Sequence, residues 1–390
     1  MTAAGSYIPQ IDGLRFLALA PVLFYHAGLR GERSYPGLTP AEDVFSTWLP
    51  HGGAGVSLFF FISGYIIAYP FMSGARPGLK QFYMRRLLRL EPPYILVMVG
   101  CFLVLSAGFR PADAPGFNAT DVPLWQSLAA SLVYLHSFIF GSHPRLNPPT
   151  WSLEREVQFY LIAPFLFGLY VLCRQRTPRL LFGALAVVST ILIGGAVQYW
   201  SDETDIIRHS LLAEAYGFLL GVVICDWSIA TRPADLPKRR FYDVLFWIGL
   251  ALLLISGSIQ HHFRDAFFYI PNAVLRVAAI LSLYMGAMRG GFASRLMANS
   301  WITLIGGACY SIYLIHVPLM QGLITVIRKV VVFESLAQAW ALSFALLIPA
   351  ALIAGLMFYI LVERPFMQRE WPQRVISFLR GRLSRRNGSH

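Results

Sequence analysis

Charge is what this sequence has least of: Asp, Glu, Lys and Arg make up 13% of its 390 residues, against roughly 25% in an average soluble domain. A chain this poor in charge cannot clothe a globular surface in water, and its 56% hydrophobic content places it outside the soluble class. Cysteine is scarce as well. Cys101, Cys173, Cys225 and Cys309 stand singly in or at the ends of apolar runs, without CxxC or CxxH spacing. That argues against a disulfide framework and against a metal site. Short alternating segments of the kind a membrane barrel needs are missing too. The Asn118-Ala119-Thr120 sequon is a tripeptide common by chance and receives no role.

What is present is a succession of apolar runs, each of about 17 to 25 residues, long enough to cross a ~30 Å hydrocarbon core as a helix. They cover residues 8–27, 53–72, 91–108, 124–140, 151–173, 180–200, 210–228, 241–258, 267–288, 299–320 and 338–362. The first lacks a basic leader and a convincing cleavage site and carries Asp12 and Arg15, so it is expected to be retained rather than removed as a signal.

The net charge of +12 raises the question of nucleic acid, and its distribution answers it. Positive residues cluster in short loops (Arg174, Arg176 and Arg179; Arg232, Lys238, Arg239 and Arg240; Arg289 and Arg295) and in the tail over 364–386. This is a positive-inside pattern, with no nucleic-acid partner implied; the tail also suits anionic lipid headgroups. Counting spans from both ends gives a conflict. From a cytoplasmic tail backwards Trp151 is outside, whereas from the basic stretch 76–89 forwards it is inside. One run between residues 91 and 150 must fail to cross, and 124–140 is the shortest, with Asp113 and Asp121 before it and Pro148-Pro149 after it. It is expected to be re-entrant or surface-lying, beside a cavity or other protein. The expected fold is therefore all-α, a polytopic membrane helical bundle of about ten transmembrane helices plus one re-entrant or short helix. The membrane domain spans residues 1–365, and a basic cytoplasmic tail occupies 366–390.

Within that frame, ionisable side chains inside the spans stand out. Arg15 and His26 are eleven residues apart on the first span, close to three helical turns, so they share a face about 16 Å apart along the axis. Intramembrane charge is costly and marks function by default; the alternative is that each merely reaches an interface. His26, Glu156 and His316 are expected to share the outer half of the bundle. Glu154, two residues before Glu156, is expected near the surface. Arg85, Arg86 and Arg89 lie where the third span leaves the cytoplasm, as either an anion site or a topology signal.

The strings IDGLRFLAL with its Arg-x10-His spacing, GVSLFFFISGYII, RRLLRLEPPY, WSLEREVQFYLIAP, GGACYSIYLIHVP and the closing VERP occur in that order. Together they resemble the motifs of the membrane acyltransferase 3 family over nearly the whole chain. The resemblance implies transfer of an acyl group, usually acetyl, from acetyl-CoA to a hydroxyl of a carbohydrate or another acceptor such as a macrolide. Acetyl-CoA is then a co-substrate, and no cofactor or metal is permanently bound. It also implies residence in a bacterial cytoplasmic (inner) membrane, and the span count puts both termini in the cytoplasm. Residue by residue, it matches Arg15 and His26 to the first-helix pair, Ser63-Gly64 to FFxxSG, Arg86 and Arg89 to RxxR, Glu156 to WSLxxE, and Tyr313 and His316 to YLxH. Cys309-Tyr310 departs from the usual Ser-Tyr.

Acyl transfer to an alcohol needs a base for the hydroxyl proton, a donor for the tetrahedral oxyanion and an anchor for the CoA phosphates. On this reading His26 is the base, since imidazole titrates near working pH. Glu156 either orients His26 or pairs with Arg15 or Arg155. Arg15 either polarises the thioester, holds a phosphate, or pairs with Asp12 at i, i+3. Ser63 either serves the oxyanion or acceptor, or is a small packing residue beside Gly64. Tyr313 and His316 are polar groups near the acceptor, with a satisfied histidine as the alternative for His316. Arg86 and Arg89, with Arg85, anchor acyl-CoA, so that the donor enters from the cytoplasm and the acceptor from outside. The alternative class is a glycan or lipid transporter or flippase, disfavoured because no inverted repeat is visible; a third is a non-catalytic partner in polysaccharide assembly. The loop over 29–53 is either a lid or an ordinary solvated connection. With about 28 residues after 362, the form expected is the one without an appended soluble domain.

Overall fold

The structure, a computed structural model, describes residues 7–75, 77–109, 122–202, 206–262 and 266–367. The sequon, Asp113, Asp121 and the tail beyond residue 367 lie outside the described residues. Among those described, the regular elements are all helices. In chain order they are α1 (Pro9–Glu32), α2 (Pro40–Ser46), α3 (Gly53–Met72), α4 (Leu79–Ser106), α5 (Leu124–Leu132), α6 (His136–Phe140), α7 (Trp151–Leu172) and α8 (Arg176–Trp200). There follow α9 (Ala215–Thr231), α10 (Arg240–His262), α11 (Tyr269–Arg289), α12 (Phe292–Met297), α13 (Ser300–Gly307), α14 (Cys309–Ile327), α15 (Leu336–Phe358) and α16 (Arg364–Phe366), with short 3-10 turns between some of them.

Eight of these, α3, α4, α7, α8, α10, α11, α14 and α15, are long and apolar enough to cross a membrane. Two more complete the bundle. α1 has 24 residues but carries Asp12 and Arg15, and α9 is apolar but has 17 residues, about 26 Å at ~1.5 Å per residue. The run 299–320 breaks at Ala308 into α13 and α14. The segment 29–53 is about half helical: α1 extends to Glu32, and α2 opens on a capping box between Thr39 and Glu42.

The run 124–140 does not cross. It breaks into α5 and α6 at Tyr134, whose φ of 57° no continuous helix accommodates. Its backbone is satisfied by protein. Glu154 accepts from the backbone N–H groups of His136 at 3.0 Å and Ser137 at 2.9 Å, and Tyr94 donates to the Ser131 carbonyl. This corrects the surface position expected for Glu154, which is 1% exposed and caps α6. It also accounts for a re-entrant piece that lines no part of the cavity described below.

The face where α4 and α8 begin is basic. There Asp226 takes a two-point hydrogen bond from Arg179, 2.6 and 2.7 Å, and Asp243 accepts from the N–H groups of Gly291 and Ala293 at the start of α12. At the centre, α3 and α9 approach backbone to backbone. A Cβ on Gly64 would lie 2.1 Å from the Phe218 carbonyl oxygen, and one on Gly221 2.1 Å from that of Phe61. Small residues serve this purpose in membranes, where close packing holds helices together. Gly64→Ala is expected to cost about 1–3 kcal/mol, read as a lower melting temperature in detergent. Gly168→Ala, with nothing within 4 Å of the new Cβ, should leave it unchanged.

Candidate active site

α3, α4, α7 and α14 enclose a cavity of about 350 Å³ that also receives Arg15 from α1. Its lining has three parts: the arginines of α4, an apolar wall and a polar inner zone. At the basic face, Arg85, Arg86 and Arg89 of α4 form the mouth, with Arg85 exposed. Arg86 is braced rather than loose: its guanidinium lies 3.6 Å over the Phe82 ring, and Nη1 donates to the Phe82 carbonyl at 2.9 Å. An apolar wall of Ile66, Ile67, Pro70, Pro77 and Phe82 flanks the arginines, and Arg86 also lies 5.3 Å over the Tyr160 ring.

The inner zone is polar, and it settles several alternatives left open by the sequence. Glu156 Oε1 accepts from Ser63 Oγ at 2.5 Å and also from the Tyr160 hydroxyl. Its hydrogen bonds therefore run to α3 and to its own helix rather than to His26. Glu156 is within electrostatic range of Arg15 and Arg86. Arg155 is turned away: it pairs with Glu214 at 3.9 Å and stacks 4.5 Å over Trp151. Arg15 makes the i, i+3 pair with Asp12, Nη1 to Oδ1 at 2.7 Å, and its side chain also lines the cavity. Ser63 faces the cavity, while the packing role belongs to its neighbour Gly64.

The cavity closes at Tyr313. Its hydroxyl lies 2.7 Å from the Pro149 carbonyl oxygen and 2.7 Å from Ser152 Oγ. A carbonyl oxygen only accepts, so the phenolic proton goes to Pro149 and Ser152 donates in return. Behind that ring stand the histidines, neither of which lines the cavity. His316 is fully buried, with Nδ1 2.6 Å from its own helix's Tyr313 carbonyl. By the same rule Nδ1 carries the proton, which leaves Nε2 as a bare acceptor, buried and without a hydrogen-bond partner. Its ring centroid is 5.1 Å from that of His26 and 5.5 Å from that of Tyr313. The outer trio expected from sequence thus divides: the two histidines pair, while Glu156 joins Arg15 and Ser63 in the cavity.

Several participants were not read from the sequence. Tyr160, four residues after Glu156, and Arg30, four after His26, stand at helical spacing that was available to find them. Arg30 is buried, donating from Nη1 to the His26 carbonyl at 2.8 Å and from Nη2 to the Val317 carbonyl at 3.4 Å. It ties α1 to α14 at the level of the histidines. Cys309, left out because it departs from the motif, lines the inner zone.

Comparison with known proteins covers most of the chain. Residues 8–360 match the family model described as an acyltransferase domain. The O-acetyltransferase OatA of Staphylococcus aureus (strain NCTC 8325 / PS 47) is 25% identical over 337 residues, covering 80% of this chain and 51% of the relative. The peptidoglycan O-acetyltransferase OatA of Listeria monocytogenes serovar 1/2a is 26% identical over 334 residues, covering 80% and 49%. The chain therefore spans about half the length of these curated relatives. No solved structure matches it.

Proposed function

The chain belongs to the membrane acyltransferase 3 family, and from that premise we propose that it moves an acyl group, acetyl foremost, from acyl-CoA to a carbohydrate hydroxyl. The observation that carries this reading is that one cavity brings together three arginines, an apolar wall and the polar group of Arg15, Ser63 and Glu156, with two histidines beyond Tyr313. Acyl-coenzyme A has a part to match each. Its phosphates suit guanidinium groups, its pantetheine arm suits an apolar wall, and its thioester needs a polarising donor.

In the reaction the acceptor oxygen adds to the thioester carbonyl, the C–S bond breaks, and the hydroxyl proton passes by way of a base to the departing thiolate. His26 is the base, reached by an acceptor entering from the face opposite the arginines. His316 stands beside it. Of the oxyanion donors, Ser63 has committed its hydroxyl proton to Glu156 and Tyr313 has committed its own to Pro149. Arg15 keeps further N–H groups beyond the one held by Asp12, but it stands three helical turns, roughly 16 Å, from His26, so on this reading it holds a donor phosphate rather than the oxyanion. Because Tyr313 divides the cavity from the histidines, the reaction on this reading requires its ring to turn aside.

The basic face is assigned to the cytoplasm, so donor and acceptor arrive from opposite sides of a bacterial inner membrane. The acceptor is a cell-surface or exopolysaccharide sugar; the relatives' names make peptidoglycan sugars the first to try. The test is the purified chain in nanodiscs with acetyl-CoA radiolabelled in the acetyl group and a panel of peptidoglycan fragments, other oligosaccharides and a macrolide. Acceptor-dependent label transfer with one thiol released per label is expected. Movement of a glycan or lipid across vesicles without label transfer would favour a transporter instead.

A further inference from the structure

Glu363 belongs to the VERP string and does not line the cavity. It lies at the end of a π turn, Tyr359–Glu363, that follows α15. Pro365, which has no N–H to return to the preceding turn, follows two residues later. Glu363 lies inside the bundle, where it is 0% exposed. A buried carboxylate at this depth needs a cation. Arg89 supplies it, with Nη2 3.6 Å from Oε1, while Oε2 accepts from Ser311 Oγ at 2.7 Å. Tyr310 next door donates to the Leu90 carbonyl at 2.8 Å. The π turn, the start of α14 and the mouth of α4 are thereby tied at one point.

Arg89 faces two ways. One side of its guanidinium meets the buried Glu363, and the side chain, 38% exposed, also lines the cavity mouth. We infer that Glu363 is the positioning residue of the anion site, holding Arg89 at the mouth so that a donor phosphate meets a guanidinium already in place. The inference rests on the acyl-CoA reading given above. Two effects of the carboxylate oppose each other. It repels the incoming phosphate, and it removes rotamer freedom that Arg89 would otherwise lose on binding. Positioning prevails because the phosphate arrives at the exposed side of Arg89, where solvent screens the repulsion, whereas the Glu363 carboxylate is itself fully buried.

The test is equilibrium binding of radiolabelled acetyl-CoA to the detergent-solubilised full chain, in wild type, Glu363→Gln, Arg89→Ala and the double variant. Glu363→Gln is expected to raise Kd about tenfold, in line with the loss of one outer-shell partner. Arg89→Ala should raise it further, and adding Glu363→Gln to Arg89→Ala should change nothing more, because the carboxylate acts only through that arginine. Ser311→Ala, which frees Glu363 without altering charge, should raise Kd about threefold and serves if Glu363→Gln does not fold. Unchanged or tighter binding in Glu363→Gln overturns the inference, as does an additive double variant, or unchanged binding in Ser311→Ala. Wild type that fails to bind acetyl-CoA removes the donor reading, and this inference with it.

Discussion

His26→Ala is expected to lower label transfer from acetyl-CoA by ~10²–10⁴-fold, the usual worth of a positioned base. The variant should bind acetyl-CoA as wild type does, because His26 does not line the donor cavity and Tyr313 stands between them. A loss confined to the rate is the signature of a group that acts only in the transition state. Fold is not at stake in the same way: α1 is held to α14 by Arg30, whose acceptor on α1 is the His26 backbone carbonyl and survives the substitution. Turnover retained in His26→Ala would remove the base assignment.

The opposite split is expected of the arginines. Replacing Arg86 and Arg89 together by alanine should weaken acetyl-CoA binding at least ~100-fold, since hydrogen bonds to charged groups contribute about 1.5–3 kcal/mol each. Wild-type binding should weaken as salt is raised, and the double variant's should weaken less steeply, because fewer guanidinium groups remain at the mouth to be screened. Arg86→Lys should not restore Arg86 fully. Lysine keeps the charge but loses the planar face that stacks 3.6 Å over Phe82. Binding calorimetry at two ionic strengths measures both effects, and wild-type affinity in the double variant would place the donor phosphates elsewhere.

How much of this was legible beforehand follows from what sequence encodes locally and what it does not. The spans were legible because length and hydropathy alone decide them. The failure of residues 124–140 to cross was legible from the positive-inside count, although the break at Tyr134 was not. The pairing of Arg15 with Asp12 follows from i, i+3 spacing. The partners of Glu156 did not follow, because they depend on how α7 is rotated against α3, and nothing local encodes that angle. The same holds for Glu154, about 200° around the helix from Glu156: the axis direction alone does not tell which of the two faces the short α6. The histidine pair joins α1 to α14 across nearly the whole sequence. Glu363 was hidden by a change of helical register, since a π turn shifts every later side chain from the face that 3.6-residue spacing assigns.

The claim on which all of this turns is that donor and acceptor approach from opposite faces and meet beside Tyr313. It is tested most directly in vesicles carrying the protein in a single known orientation, with radiolabelled acetyl-CoA confined to one side and the acceptor found in the panel to the other. Label should pass to the acceptor when acetyl-CoA contacts the face bearing Arg85, Arg86 and Arg89, and not when the two compartments are exchanged. Equal transfer in both arrangements, or transfer only in the reverse one, would contradict it.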